Sequence, residues 1–280
     1  MVTFDAEVPE GQLSVLVIGA HLDDCEINFG GTAVKYRERG HEVTFVSMTN
    51  GAAGHHEIGG LELTRTRRAE AQAAADLTGI EYEFLDAHEG ELQPTLENRN
   101  KVIRVVREVE PDLVFTHRPN DYHPDHRYTS VLVQDAAYMV TVPAICRDTP
   151  HLTYNPVICY LPDDFQKPTP LSPDIVVPID DVVETKLDMV HQHESQVYEW
   201  LPYNTGKLDD VPADEACRRE WLDGEYRPRF EAIADRFRDE LVDQYGPTKG
   251  RAVECAEAFE LCEYGGELTD DNRPVLFPFV

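Results

Sequence analysis

Positive charge is scarce in this chain, and lysine scarcest of all. Against 53 Asp and Glu stand 25 Lys and Arg, only six of them Lys, for a formal net charge of −28. Such a surface repels polyanions and excludes nucleic acid as a partner. The same bias fits a salt-rich cytoplasm, where screening over about 3 Å at 1 M salt suppresses self-repulsion. Cysteine is also sparse: six residues, at 25, 146, 159, 217, 255 and 262, form no Cys-x-x-Cys pair. That excludes a disulfide framework and a thiolate zinc site, and points to a reducing compartment. No apolar run approaches the ~20 residues that span a bilayer. Residues 1–12 include Asp5, Glu7 and Glu10 and lack the basic and apolar regions of a leader. A cytoplasmic protein without membrane insertion is expected. Pro/Gly/Ser-rich linkers and internal repeats are missing too. Residues 1–280 therefore read as one domain with a helical C-terminal extension over about 200–250.

What the chain does contain is an alternation of elements. Residues 13–19 form a continuous apolar run, as in a strand buried on both faces, followed by helical spacing over 28–39 and a second strand over 42–48. Helix 61–78, strand 81–85, helix 95–110 and strand 112–116 continue the pattern, and a helix follows over 126–140. Strands are expected at 156–161 and 174–178, a helix at 182–200, and a long charged helical region at 213–244 interrupted near Gly224 and Pro228. This order predicts a three-layer, Rossmann-like α/β fold: a mostly parallel sheet with right-handed crossovers and helices on both faces.

Two clusters carry the chemistry. Ala20-His21-Leu22-Asp23-Asp24-Cys25-Glu26 follows the first strand, and His123-Pro124-Asp125-His126 follows the strand at 112–116. Open α/β sheets bind ligands at such C-terminal strand ends. The clusters can converge on one metal held by two His and one Asp, with an open position for water. His21 and Asp24, three apart, can chelate one ion, while Asp23 faces the water as general base. His123 and His126 are again three apart, so one can ligate while the other stabilises an oxyanion. Asp125 is placed to orient His123 and favour its imidazolium. A pyrophosphate-binding Rossmann protein is disfavoured, because Gly19-Ala20-His21 lacks G-x-G-x-x-G.

These residues resemble a known family. The order of apolar strand, AH-x-DD-x-E, GGT at 30–32 and downstream HPDH is similar to the PIG-L or LmbE-like zinc-dependent N-deacetylases. Arg67-Arg68-x-Glu70-Ala71, His193-Glu194-Ser195-Gln196 and Ala256-Glu257-Ala258-Phe259 resemble three weaker family segments. The resemblance implies a PIG-L-like fold and removal of acetyl from N-acetylglucosamine in a sugar or glycoconjugate. It implies His21, Asp24 and His126 as zinc ligands, Asp23 as base, and His123 with Asp125 as the acid and oxyanion pair. Family members are often trimers or hexamers, so a homo-oligomer is implied. The chain departs from the pattern at Leu22 (usually Pro), at Cys25 and at Cys255 (usually aromatic). Cys25 is expected as a small buried apolar residue.

Around this core, Arg67, Asn120, Asp121 and His193 are candidates for substrate contact, and His55 and His56 lie in a loop above the same sheet edge. Two His and one carboxylate also suit Fe(II), Co(II) or Mn(II). A zinc amidase acting on a non-sugar or thiol-conjugate amide is the competing enzyme reading. A non-catalytic sugar-binding member would have lost a ligand or the base, whereas all are present.

Overall fold

The computed structural model describes residues 11–280; the leader-like assessment of residues 1–12 therefore falls almost wholly outside the described residues. Strand β1 (Ser14–Gly19) leads into α1 (Asp24–Glu38), then β2 (Glu42–Thr49), α2 (Gly60–Asp76), β3 (Glu81–Ala87), α3 (Leu96–Val109), β4 (Leu113–Thr116) and α4 (Pro124–Ala137). After this regular run come β5 (Val157–Tyr160), β6 (Ile175–Pro178) and α5 (Val183–His191). A π-helical stretch (Ser195–Trp200) and α6 (Leu201–Thr205) follow, then α7 (Glu215–Arg236), α8 (Arg238–Ala252), β7 (Ala256–Leu261) and α9 (Arg273–Leu276).

The seven strands form one sheet in the order β3-β2-β1-β4-β5-β7-β6. All are parallel except β7, which runs antiparallel between β5 and β6. The chain reverses direction of travel across the sheet between β1 and β4, so the C-terminal ends of these neighbours flank the crevice where such sheets take ligands. Strand alternation sends Val15 and Val17 into one core and Leu16 and Ile18 into the other. The first core packs α1, α5 and α7 against the sheet; the second packs α3 and α4. This is the expected α/β architecture with helices on both faces. Phe29 of α1 contacts Phe115 of β4 at 4.3 Å and Phe259 of β7 at 5.4 Å between ring centroids. That aromatic cluster fixes α1, and with it the acidic residues at its start; emptying such a site with Phe→Ala costs about 3–5 kcal/mol.

Three expected boundaries shift. α1 begins at Asp24, four residues earlier than the helical spacing predicts, so Asp24 and Glu26 of the first cluster lie in its first turn while His21 precedes it. The helix expected at 182–200 stops at His191; the Glu70 carboxylate then accepts bonds from Ser195 N–H and Oγ, and the chain restarts as the π-helical stretch. The long charged region does not break at Gly224 or Pro228. α7 runs through both, since Leu222, Tyr226, Phe230 and Ala234 bury one stripe and the residue four before the proline is a glycine. The break comes at Phe237 (φ −112°, ψ 36°), and α8 breaks again at Gly246, whose φ is 80°.

Candidate metal centre and active site

Gly19 ends β1, and a Cβ there would lie 2.9 Å from the Cβ of Asp24, so the tight exit into the first cluster requires glycine. The turn is closed by His21 N–H donating to Asp24 Oδ2 at 2.7 Å. His21, Asp23 and Asp24 are all buried to within 8% exposure. From β4 the chain passes through His117 and a turn to α4, whose N-cap is His123: its Nδ1 accepts the Asp125 N–H at 3.2 Å.

The two segments meet. His21 Nδ1 lies 3.1 Å from His126 Nε2, and each lies 3.5 Å from a carboxylate oxygen of Asp24. Ligands about 2.1 Å from one zinc ion in a tetrahedral site stand about 3.4 Å apart, so the two nitrogens and the Asp24 carboxylate, which meets His21 through Oδ2 and His126 through Oδ1, lie close enough to share one ion. The outer partners set the tautomers. Asp121 Oδ2 is 2.9 Å from His126 Nδ1, and Asp125 Oδ2 is 3.4 Å from His21 Nε2. Each carboxylate holds a proton on the ring nitrogen it faces, which turns the lone pairs of the other two nitrogens toward each other and toward Asp24. Two facing lone pairs and a buried carboxylate call for a cation, so the donor set fits zinc. Without one, His126 takes the proton: burial lowers its pKa, but Asp24 and Asp121 outweigh burial and raise it to about 9. Burial alone would raise Asp24, yet His126, His117 and His21 hold its carboxyl well below the usual range.

Asp23 borders this site. Its Oδ1 accepts from Arg67 Nη2 at 3.1 Å, and its Oδ2 takes no bond from the described residues. Arg67 also donates to Glu89 Oε1 at 2.7 Å. Glu89 Oε2 in turn accepts the Ala53 and Gly54 N–H groups at 2.9 and 2.8 Å. Burial opposes ionisation of Glu89, but Arg67, His21 and these amides bring its pKa down to about 2. Arg67 is 1% exposed. It is thus a bridge between two carboxylates that fixes the catalytic-base candidate, and its guanidinium is taken up by them and not free for substrate.

Asp125 departs from its expected contact. Its carboxylate reaches His21 and the Gly90 N–H (2.6 Å), not the His123 ring. Because His123 Nδ1 accepts a backbone N–H, the neutral ring carries its proton on Nε2. Burial, with His21 and His126 nearby, lowers the His123 pKa, so the expected imidazolium gives way to a neutral N–H donor. Asp121 orients His126 and closes the turn through His123 N–H (2.8 Å), so it acts on a candidate metal ligand and not on substrate. Asn120 donates to the Lys167 and Thr169 carbonyls, tying down a neighbouring loop away from the cleft. His193 is fully buried, 3.3 Å from Glu26, and lies outside the cleft lining. His55 pairs with Glu199 at 2.7 Å, and His56 stacks on Tyr203. The Cys25 thiol faces the Val17 and Val46 carbonyls in the core, and burial pushes its pKa well up, as for a small packing residue.

Two residues escaped sequence reading. His117 stacks on His126 at 4.0 Å and lies 3.1 Å from Asp24 Oδ2. Its position at the end of β4 was a usable signal. Glu89 follows β3 in a run of charged residues and carries no pattern of its own. His21, Asp23, Asp24, Glu89, His123 and His126 border an open cleft of about 470 Å³ whose opposite wall includes Gln196, Trp200, Asn204 and Arg229, with His117 behind Asp24 and His126. A cation at the triad, an adjoining carboxylate with one free oxygen and a neutral imidazole donor can activate water against a carbonyl carbon.

Comparison with known proteins places the chain in a family. A family model described as PIG-L, GlcNAc-PI de-N-acetylase, matches residues 16–137. The diacetylchitobiose deacetylase of Thermococcus kodakarensis is 32% identical over 206 residues, covering 68% of this chain and 74% of that one. The structure is similar to that of N,N'-diacetylchitobiose deacetylase from Pyrococcus horikoshii, with a TM-score of 0.70 and 26% identity over 93% of this chain and 88% of that chain. The 4-oxalmesaconate hydratase of Pseudomonas putida is 29% identical over 133 residues, 45% of this chain and 52% of that one. Among the described residues no helix is long and apolar enough to cross a membrane. The chain belongs to the PIG-L family and is an enzyme of its deacetylase class.

Proposed function

We propose that this protein is a zinc-dependent N-deacetylase that hydrolyses the acetamido group of N-acetylglucosamine within a sugar or glycoconjugate, releasing acetate. The observation that carries the reading is the convergence of His21, Asp24 and His126 lone pairs beside the Arg67-anchored carboxylate of Asp23. His21, Asp24 and His126 would hold the ion. When bound, zinc supplies Lewis acidity to the amide carbonyl and to water. Asp23 accepts the proton of the attacking water on its free oxygen, while Arg67 keeps the other oxygen in place. His123 Nε2–H donates to the carbonyl oxygen as negative charge develops there. Asp23 then returns its proton to the sugar nitrogen as the C–N bond breaks, leaving acetate and a free amine. The helical segment at about 200–250 supplies Trp200, Asn204 and Arg229 to the cleft wall, and with the described residues 11–200 makes one working domain.

A hydratase relative shares part of the sequence, so the assay must separate amide hydrolysis from water addition. Acetate release from N-acetylglucosamine and diacetylchitobiose, in molar KCl, is the expected result. Hydration of an unsaturated dicarboxylate with no acetate from either sugar would replace the deacetylase reading.

A further inference from the structure

Glu26 belongs to the first acidic cluster, yet it takes no part in the candidate metal centre and does not line the cleft. It is fully buried, and so is His193, whose Nε2 lies 3.3 Å from Glu26 Oε1. Among the described residues neither Glu26 oxygen and neither His193 nitrogen takes a hydrogen bond from any other group. Burying a carboxylate without backbone or hydroxyl donors is costly. Apolar residues of similar volume in place of such a pair are often as stable or more so. What a pair adds over an apolar contact is a preferred geometry, and its place in the fold says which geometry.

Glu26 lies in the first turn of α1, just beyond Asp24 and beyond Asp23, the N-cap, which makes no side-chain cap bond. His193 lies where α5 has ended and the π-helical stretch has yet to begin. The chain there is pinned by its next residues. Glu70 of α2 accepts from Ser195 N–H and Oγ at 2.8 and 2.6 Å, and Gln196 Nε2 donates to the Gly54 carbonyl at 3.1 Å. Glu70 follows Arg67 by one helical turn, so one face of α2 carries both the guanidinium that holds Asp23 Oδ1 and the carboxylate that holds the residue next but one to His193. Two ties thus run from α2 to the start of α1. One goes directly to Asp23 at the cleft; the other goes through Ser195 and His193 to Glu26 in the interior.

We infer that Glu26 and His193 are positioning residues: their contact sets the rotation of the first turn of α1 and so aims the free oxygen of Asp23 and the carboxylate of Asp24. The catalytic consequence rests on the deacetylase reading, and the inference goes beyond it by giving a role in the reaction to two residues outside the cleft.

The test uses full-length protein and reads the urea midpoint, zinc affinity by chelator competition, and kcat and KM for diacetylchitobiose at saturating zinc. Glu26→Met or His193→Leu alone strands the other buried group and should lower the midpoint. The double variant fills nearly the same volume with apolar atoms and should return the midpoint to the parent value or above. In that double variant zinc affinity should still fall by about fivefold or more. Its kcat should fall by about tenfold or more with KM within about twofold, the signature of misplaced groups and not of lost binding. A merely structural pair would instead give activity that returns together with the midpoint. Where the double variant does not fold, Glu26→Gln and Glu26→Asp decide. Gln keeps the reach to His193 and Asp falls one methylene short, so kcat should stay within about threefold of the parent in the first and drop about tenfold in the second. Parent-like zinc affinity and kcat in the folded double variant, or a parent-like kcat in Glu26→Asp, overturn the inference. No acetate from the parent protein contradicts the deacetylase reading alone; weakened zinc binding by the double variant at a parent-like midpoint would still uphold the positioning.

Discussion

From β1 to α4 the chain runs as regular parallel β-α units, and His21, Asp23, Asp24, Arg67, Glu89, His123 and His126 all come from the strand ends or helices of that stretch. From residue 138 onward the pattern loosens: an antiparallel strand enters the sheet, a helix gives way to a π-helical turn, and two long helices pack outside. This second half contributes Gln196, Trp200, Asn204 and Arg229 to the cleft, none of them a metal donor. The family model ends where the first half ends, at residue 137. Parallel strand ends hold their side chains in a register fixed by neighbours on both sides, whereas a wall of helices only has to fill space and present a surface. On the proposed reading the chemistry sits in the constrained half, and the second half supplies the rest of the cleft wall.

Substitutions can break this division, and the largest effect belongs to Asp24→Asn. Removing the carboxylate of the triad should lower metal affinity more than about 100-fold, beyond the usual cost of an outer partner, and take acetate release below detection while circular dichroism stays native. Arg67→Met should act on both chemistry and fold. It strands Asp23 and Glu89 without their shared cation, and breaking a buried pair in this way costs about 3–5 kcal/mol; urea titration and kcat should both register it. In the second half, Gly250→Ala sharpens the contrast, because a Cβ there would lie 2.4 Å from the Leu241 carbonyl oxygen. Overpacking against backbone should cost about 1–3 kcal/mol or more, with metal stoichiometry of the folded protein unchanged.

The pH dependence of metal binding tests the triad more gently. His126 of the metal-free site has its pKa raised to about 9, so its proton is held below that pH and must leave when a metal binds. Apparent affinity should climb about tenfold per pH unit from neutrality toward 9 and then level off. Calorimetry in two buffers of different ionisation enthalpy should show a proton released at pH 7. The smallest effect is expected of Cys25→Ala: with its thiol in the core and far from the thiolate form, metal stoichiometry and kcat should match the parent protein.

The contrast between halves also marks what the sequence made legible. Strand β1 stood out because a strand buried on both faces is apolar along nearly its whole length, β2 and β4 by their Val, Phe and Leu content, and the two candidate ligand clusters because each follows β1 or β4. Glu89 was not legible, since a single carboxylate in the charged stretch 86–91 becomes significant only when folding sets it against Arg67 and two amides. β7 was noticed as a family segment and not as a strand, because Ala256–Leu261 alternates small, acidic and aromatic residues and two of its acids are held by tertiary contacts. His193 and Asn120 resembled site residues in polar pattern, yet burial against Glu26 and bonds to loop carbonyls direct them elsewhere. Pattern reports which residues are polar; only packing decides which polar residues share a cleft.

The most direct measurement is acetate release from diacetylchitobiose by four preparations: protein as purified, chelated, zinc-restored, and zinc-loaded Asp23→Asn. The account predicts loss on chelation, recovery with zinc, and an Asp23→Asn protein that binds one zinc per chain yet is slower by about 10²–10⁴. Full activity in the chelated protein, or a parent-like rate in Asp23→Asn, would contradict it.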